Sequence, residues 1–278
     1  YPEDIELKDY REYHIREQHP DVIYTQNAYD RYNYSYVLPE EYYTSELAKY
    51  TEELVYVPGF CIGSCDPEDA KLYKTADYFV KIPGLLHADR IILESEEVRQ
   101  FYIQNLLEFC GGDTRDLWEK KLEVSQDPCC MEDKKYSEQE AGGLAEWCKL
   151  LYDKNGKKRR IILYQNTISS FARQPERMLE KLRRVLEVFY DNRADIALIW
   201  RPHVNMFAAM ELLDREIWLE YRRIVDEFRM AGWGILDETW DATLAERLAD
   251  AYYGDPDLAV LHFGNNGKPV MILSKNVD

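Results

Sequence analysis

The sequence predicts an α/β fold built on a doubly wound parallel sheet. Strand-like and helix-like segments alternate along the chain, the order expected of βαβ units. Ile161–Tyr164 and Ile196–Trp200 are unbroken apolar runs, which suits strands buried on both faces. Both runs lead into polar loops, Gln165–Ser170 and Arg201-Pro202-His203. In open α/β sheets, ligands bind in loops at the carboxyl ends of strands.

The composition narrows the classes of function. A length of 278 residues admits one large domain or two ordinary ones. The 46% hydrophobic and 13% aromatic fractions support a packed core and argue against disorder over most of the chain. The formal net charge of -17 argues against nucleic acid or an anionic membrane bound through a broad charged surface. It leaves room for a small anion held by a few local donors. No apolar run has the 18 or so residues of a membrane span, and no signal peptide is visible. The chain opens at Tyr1 without an initiator Met, so a fragment or a processed product is expected. The six cysteines, Cys61, Cys65, Cys110, Cys129, Cys130 and Cys148, are read as reduced thiols of a cytoplasmic protein. Cys61 and Cys65 have no second Cys or His pair nearby to complete a zinc site, so no metal is expected.

In chain order, Tyr1 to His19 reads as an exposed helix and Pro20–Tyr24 as a first strand. The polar, aromatic stretch from Asn27 to Tyr34 reads as a strand-end loop. Asn33-Tyr34-Ser35 matches a glycosylation sequon, taken as chance without a secretion signal. A helical turn or two over Ser45–Tyr50 precedes a second strand at Glu53–Val57. A short helix is expected over Pro67–Thr75, followed by Tyr78–Lys81, a turn at Pro83-Gly84 and a third strand at Asp89–Leu93. Ser95, followed by Glu96 and Glu97, is a helix start with a serine cap and acidic first turn. Its helix ends at Gly111-Gly112. Lys120–Gln139 shows no clean period, and the boundary between domains is placed after it. Glu140–Tyr152 is expected to be a helix between the halves, and Asp153–Arg160 a basic turn to which no function is assigned.

In the second half, Pro175 starts a helix whose face is Met178, Leu182, Val185, Leu186 and Phe189. A long amphipathic helix is expected from about Met206 to Met230, stopped by Gly232. Gly234–Leu236, Ala249–Tyr253 and Lys268–Leu273 read as strands. Thr243–Leu248 and Leu258–Phe263 read as helices.

A parallel sheet brings three exit loops to one edge: Asn166-Thr167, Arg201–His203 and Gly254-Asp255. Amides, hydroxyls, a guanidinium and an imidazole there suit a nucleotide diphosphate. The same residues also fit a surface Arg-Pro turn with a solvated His. No Gly-x-Gly-x-x-Gly, P-loop or Gly-x-Ser-x-Gly elbow occurs.

Tyr29-Asp30-Arg31-Tyr32-Asn33-Tyr34, Glu53-Leu-Val-Tyr-Val-Pro58, Trp200-Arg-Pro-His203 and Asp250-Ala-Tyr-Tyr-Gly-Asp255 together resemble the CDP-glycerol glycerophosphotransferase family. These enzymes are related to teichoic-acid polymerases of cell-wall biosynthesis. The resemblance spans nearly the whole chain and implies a GT-B fold, two Rossmann-like domains facing a cleft. Residues 1–139 would form the acceptor-side domain, truncated at its N-terminal edge, and residues 140–278 the donor-nucleotide domain. An acceptor hydroxyl would attack the β-phosphate of CDP-glycerol. His203 would be catalytic and, with Arg201, would stabilise the diphosphate leaving group. Asp255 would close the site, with Asn166, Thr167 and Gly254 beside it.

Three departures from the family pattern bear on chemistry. Val37-Leu38-Pro39 stands where a His-Pro general base is expected, and leucine accepts no proton. Ser125-Gln-Asp-Pro128 replaces a Gly-Ser-Pro-Lys-like loop. Pro256, Asp257 and Leu258 follow the Gly-Asp where two serines usually open the last helix. A helix N-terminus binds phosphate through free N–H groups and its dipole. Pro256 removes one donor, and Asp257 adds a carboxylate where the anion would sit. Two like charges about 4 Å apart repel by about 1 kcal/mol in bulk water, and more at lower effective dielectric.

The expected function is transfer of glycerol phosphate from CDP-glycerol to a polyol or glycan hydroxyl. The expected place is the cytoplasm, peripheral to the inner face of the membrane. No cofactor is expected beyond the substrate nucleotide. The alternatives are a catalytically impaired family member acting as a binding or scaffold protein, and a GT-B glycosyltransferase using a nucleotide-sugar.

Overall fold

The computed structural model describes residues 6–10, 12–32, 38–60, 62–63, 75, 77, 79–125, 147–153, 155–239 and 242–272. They fall into two compact units, the first within Tyr1–Asn33, Val37–Cys61 and Asp77–Cys130, the second within Tyr34–Tyr36, Ile62–Ala76 and Met131–Asp278. Each carries a parallel sheet, so the chain is α/β. No described helix is long and apolar enough to cross a membrane.

In the first unit, β1 (Val22–Thr25), β2 (Glu53–Tyr56), β3 (Arg90–Leu93) and β4 (Leu122–Val124) pair in simple succession. The register runs Val22↔Glu53, Val55↔Arg90 and Ile91↔Leu122. Short helices α1 (Ile15–Gln18), α2 (Thr44–Leu47) and α3 (Gly84–His87) lie between or before these strands. The main helix, α4 (Glu96–Cys110), starts as its sequence dictates: the Ser95 hydroxyl accepts the Val98 N–H at 3.2 Å. It buries Val98, Phe101, Tyr102, Ile103 and Leu106. α5 (Arg115–Lys121) buries Trp118 and runs straight into β4.

Several expectations change here. Of the helix expected over Tyr1–His19, the described residues show α1 alone. Pro83-Gly84 opens α3 instead of forming a bare turn, because Gly84 fits against the Ala28 backbone and its N–H donates to the Ala28 carbonyl at 2.8 Å. The stretch from Lys120 opens on the last two residues of α5 and passes into β4, a three-residue strand too short to show a period. The expected helix at Pro67–Thr75 lies outside the described residues except at Thr75, as do Gln126–Gln139, Asn33 and Tyr34 of the aromatic motif, and Val37 of Val37-Leu38-Pro39. Residues 147–151 are helical. Cys110 and Cys148 are free thiols, and the other four cysteines lie outside the described residues.

The second unit is doubly wound. Its elements are β5 (Arg160–Asn166), α6 (Ile168–Arg173), α7 (Pro175–Asp191), β6 (Ile196–Pro202), α8 (Met206–Leu213) and α9 (Arg215–Ala231). They continue with β7 (Ile235–Leu236), α10 (Thr243–Leu248), β8 (Ala251–Gly254), α11 (Leu258–Asn265) and β9 (Val270–Ile272). The strand order is β7-β6-β5-β8-β9, so the direction of winding reverses between β5 and β8. That reversal is the topological switch point, where a crevice opens beyond the carboxyl ends of the strands. Successive residues of β6 serve opposite layers, as period-2 alternation requires. Leu198 and Trp200 pack with Tyr164 against Leu182, Met210, Tyr221 and Phe228, from α7, α8 and α9. Ala197 and Ile199 pack with Leu163 and Tyr252 against Ala245, Ala259, Val260 and Phe263, from α10 and α11. Burial on both faces is why β5 and β6 read as continuous apolar runs.

The single helix expected over Met206–Met230 is two. Asp214 is extended, and its carboxylate accepts the N–H groups of Glu216 and Ile217 at 2.7 and 3.1 Å, starting α9 afresh. The apolar period runs through the break and hides it, although an Asp two residues before a Glu is itself a helix-start signal. Gly232 ends α9 in the left-handed region, φ 59°, as expected.

Candidate functional site

Strand register sets the positions of the candidate donor residues. Gln165 lies opposite Arg201 on β6 and opposite Gly254 on β8, and Asn166 opposite Pro202. The carboxyl ends of β5, β6 and β8 therefore meet in one row. The Asn166 and Arg201 side chains do not converge there.

Asn166 is buried and faces the α7–α9 layer. Its Oδ1 accepts the Trp200 indole N–H at 3.0 Å and its Nδ2 donates to the Tyr164 hydroxyl at 2.8 Å. Alternation turns Arg201 away from Trp200. Arg201 is 6% exposed, and its guanidinium donates to Asp237 Oδ2 at 2.6 Å and to the Thr239 hydroxyl at 3.2 Å. Asp237 also accepts the Thr239 N–H and hydroxyl at 3.1 and 2.7 Å. A cation expected to hold a phosphate is thus neutralised by a buried carboxylate.

Thr167 and Asp255 do meet, across the switch point. Asp255 Oδ2 accepts the Thr167 N–H at 2.8 Å, the Thr167 hydroxyl at 3.2 Å and the Ser170 hydroxyl at 2.6 Å. Three donors converging on one oxygen form an anion cradle, and the chain's own carboxylate lies in it. Asp255 is 4% exposed and is fixed further through its backbone. Its N–H donates to the Gln165 carbonyl at 3.1 Å and its carbonyl accepts the Tyr252 hydroxyl at 2.5 Å. Gly254 serves the same contact. A Cβ there would lie 2.3 Å from the Gln165 carbonyl oxygen, so close strand packing requires the glycine.

Asp257 caps α11, accepting the Leu258 N–H at 2.6 Å and the Gln165 side-chain amide at 2.6 Å. It occupies the helix end that would otherwise face an anion. Burial pushes its carboxyl above the usual range, helped by the nearby Glu246 and Asp255.

His203, directly after β6, is half-buried. Its Nδ1 accepts the Asn205 N–H at 3.2 Å, which leaves the proton of the neutral ring on Nε2. Burial holds its pKa below the usual value, and the Arg201 charge adds to this.

Gln165, Ser170, Asp237 and Thr239 are the participants that the sequence reading did not assign to the site. Gln165 and Ser170 lay inside the recognised exit loop. Asp237 directly follows a two-residue strand, too short to flag its end as an exit loop. In the first unit, Asp30 of the aromatic motif is buried with φ 50° and accepts the Thr44 N–H and hydroxyl at 2.7 and 2.9 Å. Leu38 is half-buried. Asp30 therefore staples the start of α2.

The two shifted groups give opposite pH dependences. His203 titrates lower folded than unfolded, so the unfolded chain binds more protons just below pH 6.5. Stability from His203 is complete above that value and is lost as pH falls through the window beneath it. Asp257 titrates higher folded than unfolded, so its contribution is complete below pH 3.8 and is lost as pH rises through the window above. Urea midpoints measured against pH are expected to lose the descending component just above pH 3.8 in Asp257→Asn. The component below pH 6.5 is expected to disappear in His203→Asn. An unchanged profile in both variants would remove these two groups as its source.

Comparison with family models, with curated proteins and with solved structures finds no match to this chain.

Proposed function

We propose that the chain is a transferase-type α/β protein whose donor crevice is closed from within, and that it acts as a binding or scaffold protein without turning over a nucleotide-activated donor. The observation that carries this reading is the Asp255 carboxylate in the switch-point cradle, accepting from Thr167 and Ser170. A donor diphosphate would have to displace that carboxylate and would meet Asp257 beside it. Arg201, the cation best placed to offset the charge, is already paired with Asp237. The motif resemblance accounts for the fold's ancestry in this reading, and Leu38 accords with a lost general base. Its place would be the cytoplasm or the inner membrane face, with a polyol or glycan as the partner most in keeping with the resemblance.

One observation favours a second reading, an active CDP-glycerol or nucleotide-sugar transferase. The His203 tautomer directs a donor N–H from Nε2, suited to stabilising a phosphate without proton abstraction. CMP release from CDP-glycerol, measured with polyol and glycan acceptors, separates the two. The closed-crevice reading predicts no release above the buffer blank. Release that His203→Ala abolishes would establish the transferase.

A further inference from the structure

The opposite edge of the second sheet carries a groove that the donor-edge residues do not touch. It is open to solvent, offers about 470 Å³ and is lined by Leu150, Arg159, Asp191, Arg193, Ala194 and Trp233. β5 starts beside it at Arg160 and ends at Asn166, so about 20 Å of strand separates it from the candidate donor edge.

The groove differs from its surroundings in how its cations are held. Arg183 and Arg229 of the second unit are each paired with carboxylates. Arg159 and Arg193 make no ion pair with a described residue and are oriented by main-chain carbonyls. Arg159 donates to the Leu150 carbonyl at 2.7 Å and the Ala194 carbonyl at 3.3 Å. Arg193 donates to the Tyr190 carbonyl while its guanidinium stacks 3.7 Å from the Tyr190 ring centroid. A carbonyl fixes geometry and leaves the full positive charge for a ligand. Asp191 lines the groove and Asp153 senses the Arg159 charge, so the local excess of positive charge is modest. Trp233 is half-buried and held upright by edge-to-face contacts with Phe228 at 4.9 Å and Tyr190 at 5.5 Å. An indole wall beside two oriented guanidinia matches a ligand with a planar aromatic part and a compact anion.

We propose that this groove binds a nucleoside monophosphate, with the base against Trp233 and the phosphate between Arg159 and Arg193. The proposal stands independently of the closed-crevice reading.

The test is calorimetric titration of AMP into the whole chain, with adenosine and inorganic phosphate as separate titrants. AMP is expected to bind at least about tenfold more tightly than either part. Arg159→Gln, Arg193→Gln and Trp233→Leu are each expected to weaken it by about tenfold, and His203→Ala to leave it unchanged. Because Arg159 also crosslinks two carbonyls, Arg159→Lys is included. It keeps the charge and is expected to retain binding within about threefold at an unchanged unfolding temperature. AMP binding no tighter than adenosine, binding indifferent to both arginine variants, or binding lost in His203→Ala would overturn the proposal.

Discussion

Asp237→Asn is expected to lower the unfolding free energy by about 3–5 kcal/mol, the usual cost of stranding one partner of a buried ion pair. The side chains of Arg201 and Asp237 are 7% and 0% exposed, and their 2.6 Å contact joins the ends of β6 and β7. Asparagine matches the shape of aspartate but is neutral and keeps one acceptor oxygen, which cannot serve both the Arg201 guanidinium and the Thr239 N–H and hydroxyl. The Arg201 charge then stays buried with the Thr239 hydroxyl but without its counter-ion. For a unit of this size the loss corresponds to an unfolding temperature lower by roughly 10 °C. The double variant Arg201→Leu with Asp237→Leu removes both charges and is expected to recover most of the loss. A full loss that persists in the double variant would show that the strand ends depend on packing around these residues and not on the pair.

The second large effect is expected from Gly254→Ala. The new Cβ would meet the Gln165 backbone at 2.3 Å from O and 2.9 Å from N, and a paired strand has no rotamer with which to retreat. β5 and β8 must separate there, costing about 3 kcal/mol or more from overpacking and strain combined. The damage should extend one residue on, because Asp255 reaches Thr167 and Ser170 only while the Gln165↔Gly254 pairing holds. Native-state amide exchange should therefore show the Thr167 N–H losing protection first. Uniform loss of protection across the second unit would argue against this local route.

Long, doubly buried strands were the most legible part of the fold. β5 and β6 wrote themselves as apolar runs because both faces meet helices, and the α7 face kept a clear 3.6-residue period. β4 was missed because three residues carry no periodicity, whereas the still shorter β7 was read as a strand at Gly234–Leu236. The break at Asp214 was hidden because the helices on either side share one apolar face. The site was legible only as a row of positions. Strand alternation sends Asn166 and Arg201 to opposite layers, and the partner that neutralises Arg201 comes from 36 residues further on. Polar residues at strand ends read alike whether they await a ligand or satisfy one another, and only their pairing distinguishes the two.

The most direct test of the closed crevice is thermal unfolding of the wild-type chain and of Asp255→Ala, each with and without millimolar CDP. The wild type is expected to show no shift, because its cradle is full. Asp255→Ala is expected to be less stable by about 1–3 kcal/mol, leaving buried donors unmatched, and to regain part of that loss when CDP supplies an anion. Stabilisation of the wild type by CDP, lost in His203→Ala, would contradict the account and place an open donor site at this edge.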